Sequence, residues 1–243
     1  MKTFVISLAE STERRERVVN AMTNAGIDFE FIDAVDGRKG EHPLLAKYND
    51  AKHCQYHGRP AVPGEIGCYA SHYLAWQKCV ELEEPIVIFE DDFALVGDFH
   101  TAIDICKKEI TSHPFIRLEH SLPRGQYNLK RIGDFTLTKF FKVPQCATCY
   151  VIHPSAAARF IEKSFEFFLP VDVFVRYTYL HGVSICHLKP HVVEPLAQDS
   201  IIGFRKNKVK NPIIKLTRPL LRLGIMIRIG ITNIKQHIAL KGV

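Results

Sequence analysis

From Pro85 to Asp92 the chain reads Pro-Ile-Val-Ile-Phe-Glu-Asp-Asp, and few folds can accommodate that octet. Four consecutive apolar residues, Ile86 to Phe89, opened by a proline, predict a strand buried on both faces, as in a parallel sheet. Three carboxylates, Glu90, Asp91 and Asp92, then fall where the strand leaves the sheet. In open α/β folds that carboxyl edge is where ligands bind. Adjacent acids repel unless a cation sits among them, and hard ions such as Mg²⁺ or Mn²⁺ take oxygen ligands. A solvated acidic turn would look the same locally, so the remainder of the chain has to decide.

Its opening repeats the α/β theme. Thr3–Leu8 predicts a first strand, and Ser11 is placed to cap a helix whose Glu13 and Glu16 suit a helix N-terminus. Val18, Val19 and Met22 give that helix an apolar stripe, and Gly26 ends it. Phe29–Ala34 alternates as a second strand. Strand, helix, strand at this spacing begins a mostly parallel sheet. Residues 38–63 show no period and predict a long surface loop. A helix from Gly64 to about Leu82 follows, with Ile66, Tyr69, Ala70, Tyr73, Gln77 and Val80 on one stripe. Glu65, Cys68 and His72 share the neighbouring face.

Further on, the pattern predicts a helix near 98–110, a strand at 115–118 and a hairpin across 134–152. A helix over 154–168 and a last strand at 183–188 complete it. Asp172 lies in the apolar run Pro-Val-Asp-Val-Phe, where an unpartnered carboxylate is costly. It is either the N-cap of a helix over 173–181 or a functional acid.

Cysteine usage and charge narrow the setting. Seven scattered cysteines do not make a disulfide framework and imply a reducing compartment. Cys146 and Cys149 form a lone C-x-x-C inside a predicted strand, which reads as buried free thiols. Thr3–Leu8 is not a signal peptide, and no apolar run reaches the ~20 residues that span a bilayer. A cytoplasmic protein is expected. Residues 1–204 hold 22 Lys and Arg against all 26 acids, whereas residues 205–243 hold ten and no acid. A mildly acidic body (1–204) therefore precedes a basic tail (205–243).

The motifs, in order, resemble glycosyltransferase family 25, the bacterial lipooligosaccharide-biosynthesis glycosyltransferases. They are Val5-Ile6-Ser7-Leu8 with Glu13-Arg14-Arg15, Ala34-Val35-Asp36-Gly37, Gly64-Glu65-Ile66-Gly67-Cys68 with Ser71-His72, and Ile88-Phe89-Glu90-Asp91-Asp92. Tyr150-Val151-Ile152, Pro170-Val171-Asp172 and Gln198–Ser200 extend the likeness over residues 1–204. Two positions depart from it. Cys149 stands where a small residue is usual, and Glu90 opens the triplet where the Asp-x-Asp signature has Asp.

The resemblance implies a single GT-A-like domain, a nucleotide-sugar donor, commonly UDP-galactose, and inversion at the anomeric carbon. The residues then take expected roles. Asp92, with Glu90 or Asp91 beside it, would hold Mn²⁺ or Mg²⁺ and neutralise the diphosphate leaving group. His191, following the last strand, would either complete the metal shell or be an ordinary loop histidine. Asp172 is the first choice for the base that deprotonates the acceptor hydroxyl, with Glu90 or Asp91 next. Ser7 and Leu8 end the first strand where the nucleotide should lie, and Arg14 or Arg15 would approach its phosphates. Asp36 and His72 are candidates for base or ribose contacts, with a satisfied core histidine as the other reading of His72.

Two rivals remain. A sugar nucleotidyltransferase would carry a glycine-rich loop near its first strand, and Ser7–Arg17 has no glycine. A carbohydrate- or membrane-binding adaptor would keep the fold with a decayed site.

The tail predicts a basic amphipathic helix, with Asn211 as cap and Pro212 at its first position. Ile213, Leu216, Leu220, Leu223, Ile227, Ile231, Ile234 and Ile238 recur at spacings of three and four, with Lys215, Arg218 and Arg222 opposite. Pro219, Gly224 and Gly230 favour two shorter helices as an alternative. Such a helix suits the anionic inner face of a cytoplasmic membrane, where a lipid-anchored oligosaccharide acceptor would lie. Packing on the enzyme body, or on a second copy in a homodimer, is the other reading. Nucleic acid is not expected, because no aromatic follows Phe204 to stack on bases.

Overall fold

The computed structural model describes residues 1–121, 125–196 and 212–241. Strand β1 (Lys2–Ser7), helix α1 (Thr12–Asn24) and strand β2 (Glu30–Asp33) form the opening unit. A 3₁₀ turn (Pro43–Lys47) and helix α2 (Asp50–His57) lead to helix α3 (Pro63–Leu82), strand β3 (Ile86–Glu90) and strand β4 (Phe93–Leu95). Next come α4 (Phe99–Glu109), β5 (Phe115–Arg117), β6 (Gln126–Ile132), β7 (Phe135–Phe140) and β8 (Cys149–Ile152). The chain continues through α5 (Pro154–Lys163), α6 (Val171–Arg176), α7 (Thr178–His181), β9 (Cys186–Lys189) and β10 (Val193–Pro195) to α8 (Pro212–Lys241).

Eight strands form one sheet in the order β2-β1-β3-β8-β5-β9-β7-β6, and β4 pairs with β10 in a separate ribbon. Only β8 and β7 run against the rest, so the sheet is mostly parallel in direction. This is the α/β architecture with a mostly parallel central sheet expected from the sequence. β3 lies between β1 and β8, and Ile86, Val87, Ile88 and Phe89 are wholly buried. Alternate residues feed opposite faces, as a strand's period of two requires. Ile86 and Ile88 join Tyr69, Trp76, Phe160 and Phe174 under α3, α5 and α6. Val87 and Phe89 join Val18, Met22, Ile103 and Cys106 under α1 and α4. With both faces clamped, the carboxyl end of β3 is a fixed edge, and the acid triplet hangs from it.

Several sequence expectations are corrected. The loop expected over 38–63 holds the 3₁₀ turn and α2, which Asn49 caps by accepting from the Lys52 N–H and Gly58 ends in the left-handed conformation. Eight residues are too few to display a helical period. Ser11 precedes α1 without a side-chain capping bond. The buried face of α3 centres on Tyr69, His72, Trp76 and Cys79, while Val80 is exposed. The expected hairpin across 134–152 is instead β6–β7 turning at Gly133, and β8 inserts between β3 and β5. The helix expected over 154–168 stops at Lys163, and that over 173–181 divides into α6 and α7. All seven cysteines are free thiols. The expected boundary at 204/205, Gln198–Ser200 and Asn211 lie outside the described residues.

Candidate active site

The acid triplet faces a cavity lined by Ser7, Leu8, Arg14, Asp36, His72, Glu90, Asp91 and Asp92. The floor of this cavity is built by close backbone packing. A side chain at Gly37 would run into the Pro63 carbonyl, and one at Gly67 into the Val35 carbonyl, so the Val35–Gly37 loop lies directly on the start of α3. Ser71 pins the same contact: its Oγ accepts from the Val35 N–H at 2.8 Å and donates to the Gly67 carbonyl at 2.7 Å. Glu65 is structural, buried against the Arg59 guanidinium and accepting from the Val62 N–H at 3.1 Å.

The three acids have different surroundings. Asp91 is fully engaged: its Oδ2 accepts from the Ser7 hydroxyl and its Oδ1 from the Arg14 guanidinium, both at 2.7 Å, while Arg17 reaches its carbonyl at 3.3 Å. It ties β1 and α1 to the end of β3. Asp92 has the opposite character. Its Oδ1 is buried without a hydrogen-bond partner among the described residues. Burial first, then the neighbouring charges of Glu90 and Asp91, push its carboxyl up to about 6. An orphaned, proton-hungry carboxylate oxygen among like charges fits a hard divalent cation.

Glu90 ends a relay from the core. Trp76 donates Nε1–H to the Tyr150 oxygen at 3.0 Å, and that hydroxyl lies 2.8 Å from His72 Nδ1. Trp76 can only donate, so the Tyr150 O–H is left to bond His72 Nδ1. His72 Nε2–H is then directed at Glu90 Oε1, 3.1 Å away. Burial raises the Glu90 carboxyl, but the bonds from His72, Cys68 and Thr148 outweigh it and hold Glu90 ionised below the usual range. Ligand atoms of Cys68, His72 and Glu90 lie within 4.8 Å of one another. Both His72 nitrogens are already bonded, however, and burial holds the Cys68 thiol protonated, so the cluster forms a hydrogen-bonded wall.

That wall is shared. Cys68 and Glu90 also line a second cavity with His57, Cys146, Thr148 and Asp172. Asp172 sits in the first turn of α6, and its Oδ1 accepts the Val173 N–H at 2.8 Å. Burial, ahead of that bond, raises its carboxyl above the ordinary value. The 144–148 rim of this cavity hangs on Arg117, which donates to the carbonyls of Pro144 and Cys146 at 2.8 and 2.9 Å. Arg117 is itself paired with the fully buried Glu119, which accepts the Cys149 N–H at 3.2 Å.

Other expected site residues are placed differently. Arg15 braces the end of β1 and β2, bonding the Ser7 and Leu8 carbonyls and Asp33 and covering the Phe31 ring. Asp36 lines the first cavity while paired with Arg38 at 2.7 Å. His191 is not brought to the acid triplet. It bonds Glu194 at 3.0 Å and meets the His120 ring, at the end of the β4–β10 ribbon away from Asp92.

Residues 1–175 match the sequence model of glycosyltransferase family 25 (LPS biosynthesis protein). The chain belongs to glycosyltransferase family 25. Similar proteins include a glycosyltransferase 25 family member of Aedes aegypti, 38% identical over 94 residues (37% of this chain, 16% of that protein). Procollagen galactosyltransferase 1-A of Xenopus laevis is 35% identical over 98 residues (37% of this chain, 15% of that protein). The inactive glycosyltransferase 25 family member 3 of Homo sapiens is 33% identical over 116 residues (44% and 19%). The chain thus spans less than a quarter of the length of these relatives.

In this family 25 chain, the residues that sequence reasoning missed are Arg117, Glu119, Tyr150 as a hydroxyl donor, and Trp76. Arg-Leu-Glu at 117–119 did carry a signal, two opposite charges in an apolar strand. The Trp76–Tyr150–His72 chain joins helix α3 to strand β8, more than seventy residues away, and such a contact has no local signature.

Proposed function

We propose that this family 25 chain is an inverting hexosyltransferase that moves a hexose from a UDP-sugar to an oligosaccharide acceptor. The supporting observation is the pair of cavities meeting at Glu90 and Cys68, with the orphaned Asp92 oxygen on one side and Asp172 on the other. An in-line displacement needs leaving group and base on opposite sides of the reacting carbon, and this arrangement supplies both.

The diphosphate of the donor fits the first cavity, with Ser7, Leu8 and Asp36 around its nucleoside. Mn²⁺ or Mg²⁺, held by Asp92 with Glu90 beside it, would supply charge neutralisation for the departing diphosphate. The acceptor lies in the second cavity, where Asp172 takes the proton from its hydroxyl. The freed oxygen forms the new bond to the anomeric carbon as the bond from that carbon to the UDP oxygen breaks. The electron pair leaves with UDP, and configuration inverts. Asp91 keeps the triplet in register with β1 through Ser7 and with α1 through Arg14, and the His72 bond keeps Glu90 charged and aimed.

Galactose is the proposed sugar, which the name of the Xenopus relative favours. A lipooligosaccharide is the proposed acceptor, which the family description favours. The test is hydrolysis of a panel of UDP-sugars with and without Mn²⁺, followed by transfer to oligosaccharide acceptors. Metal-stimulated hydrolysis of UDP-galactose above the other sugars is expected. Preference for UTP plus a sugar phosphate would establish a nucleotidyltransferase instead. Binding without turnover of any UDP-sugar would place the chain with its inactive relatives.

A further inference from the structure

Helix α8 is unbroken through Pro219, Gly224 and Gly230, and it presents two apolar faces. One is used by the body: Ile225 and Ile229 are buried, at 5% and 8% exposure. Gln236 donates to the Gly182 carbonyl at 2.9 Å, and the Arg228 guanidinium lies 5.8 Å from the Tyr179 ring centroid. Arg218 bonds the His57 carbonyl across Gly58, where any Cβ would strike the guanidinium. The second face has no cover among the described residues. Leu216, Leu220, Ile227, Ile231, Ile234 and Ile238 are all about half exposed or more, Leu216 reaching 78%. At 3.6 residues per turn they fall within an arc of about 60°, opposite Ile225 and Ile229. Arg228 and Lys235 border one edge of this stripe, whereas Arg222 falls on the side of Ile225 and Ile229.

We propose that α8 docks the protein on an anionic lipid bilayer, lying in the interface with this stripe among the acyl chains and its bordering cations at the headgroups. Three observations select that occupant. The stripe recurs within one continuous helix from Leu216 to Ile238, about 33 Å along the axis, which suits a plane better than a compact pocket. No acid lies anywhere in residues 205–243, so nothing on the helix repels an anionic surface. No helix among the described residues is long and apolar enough to cross a membrane, which leaves an in-plane position. The body-side contacts add a placement. Arg218 holds the carbonyl of His57, and His57 lines the second cavity, so the docked helix sets that cavity beside the lipid surface. A lipid-linked acceptor would enter there, on the cytoplasmic leaflet where anionic lipids concentrate.

The docking reading goes beyond the transfer reaction and is tested without it. The full chain is sedimented with vesicles of phosphatidylcholine alone and of phosphatidylcholine mixed with phosphatidylglycerol. Strong binding to the anionic vesicles only is expected. Arg228→Gln/Lys235→Gln should weaken it about thirtyfold, since each cation near such a surface contributes about a factor of five. Leu220→Gln/Ile227→Gln/Ile234→Gln should reduce it more than about tenfold. These three side chains are exposed, so the thermal unfolding midpoint should be unchanged. Sedimentation velocity without lipid supplies the opposing outcome. A dimer that the apolar triple variant dissociates, with no vesicle binding by the parent, overturns the proposal and assigns the stripe to a second copy. Equal binding by parent and both variants overturns it as well.

Discussion

The carboxylates lining the two cavities fall into two kinds. Asp91 and Asp36 are paired, one with Ser7 and Arg14, the other with Arg38. Asp92 and Asp172 carry no such partner: Asp92 has an orphaned oxygen and Asp172 accepts a backbone N–H, and burial raises the carboxyls of both. A carboxylate whose lone pairs are filled fixes geometry. One left partly unfilled in a buried place is costly to keep, and that cost is relieved only by a proton or a cation. The Glu-Asp-Asp triplet therefore combines one scaffold residue, Asp91, with a working residue beside it. Glu90 stands between the kinds, charged yet held by His72 on the wall common to both cavities.

The largest effect should follow removal of the orphaned oxygen. A metal at a departing diphosphate contributes several kcal/mol, on the order of 10⁴ in rate. Asp92→Asn should lose metal-stimulated turnover on that scale while unfolding at or above the wild-type temperature, because a buried like charge is gone. Asp91→Asn should do the reverse, lowering the melting temperature through loss of the Ser7 and Arg14 bonds. If both variants retain near-wild-type Mn²⁺-dependent turnover, the division between scaffold and working acids fails.

Asp172→Asn comes next. Loss of a general base costs about 10²–10⁴, and UDP binding in the first cavity should be untouched. Transfer surviving at more than about a tenth of the wild-type rate would move the base to Glu90 or Asp91, since a tenth lies outside that range.

Much of this division could be read from sequence, but only down to a certain scale. The Ile-Val-Ile-Phe run announced β3, and its three acids announced the site, because burial and strand-end placement are local properties of a chain. The strand–helix–strand opening was equally plain. The same was true of Asp172, whose oddity was a lone carboxylate among Val171, Val173 and Phe174. Which acid is paired and which is free was not local. Asp91 meets a Ser and an Arg roughly eighty residues away, and no periodicity reports such contacts. His191 illustrates the opposite error. It follows the last sheet strand in sequence, but β10 pairs antiparallel with β4, and that register carries it away from Asp92. Arg15, one of the two arginines expected at the phosphates, is drawn to the ends of β1 and β2, whereas Arg14 pairs with Asp91 on the lining of the first cavity.

The third effect is smaller and concerns the wall. Tyr150→Phe and His72→Gln remove a bond that aims Glu90 without removing Glu90 itself. Losing a partner that orients a metal-holding side chain costs about 10–100-fold. A merely structural role would lower stability and leave the pH profile in place. A positioning role should move the acidic limb of kcat/KM upward, because Glu90 without the His72 bond is protonated more easily. An unmoved limb in both variants would reduce the relay to packing.

The smallest effect is the proton linkage of Asp92, read as a difference between wild type and Asp92→Asn. Its carboxyl titrates at about 6 in the folded chain, against about 3.9 for an unfolded aspartate. Between those values the folded state binds more protons than the unfolded one, so stability from this group falls as pH rises from about 4 to 6. Without metal, wild type should lose a few degrees of melting temperature relative to Asp92→Asn over that window, and the gap should stay constant above it. Mn²⁺ binds the ionised carboxylate, so its thermal shift should be large at pH 7.5, shrink towards pH 5 as protons compete, and be absent in the variant. A Mn²⁺ shift of equal size at both pH values, or one that Asp92→Asn retains, would put the cation elsewhere and return Asp92 to the scaffold.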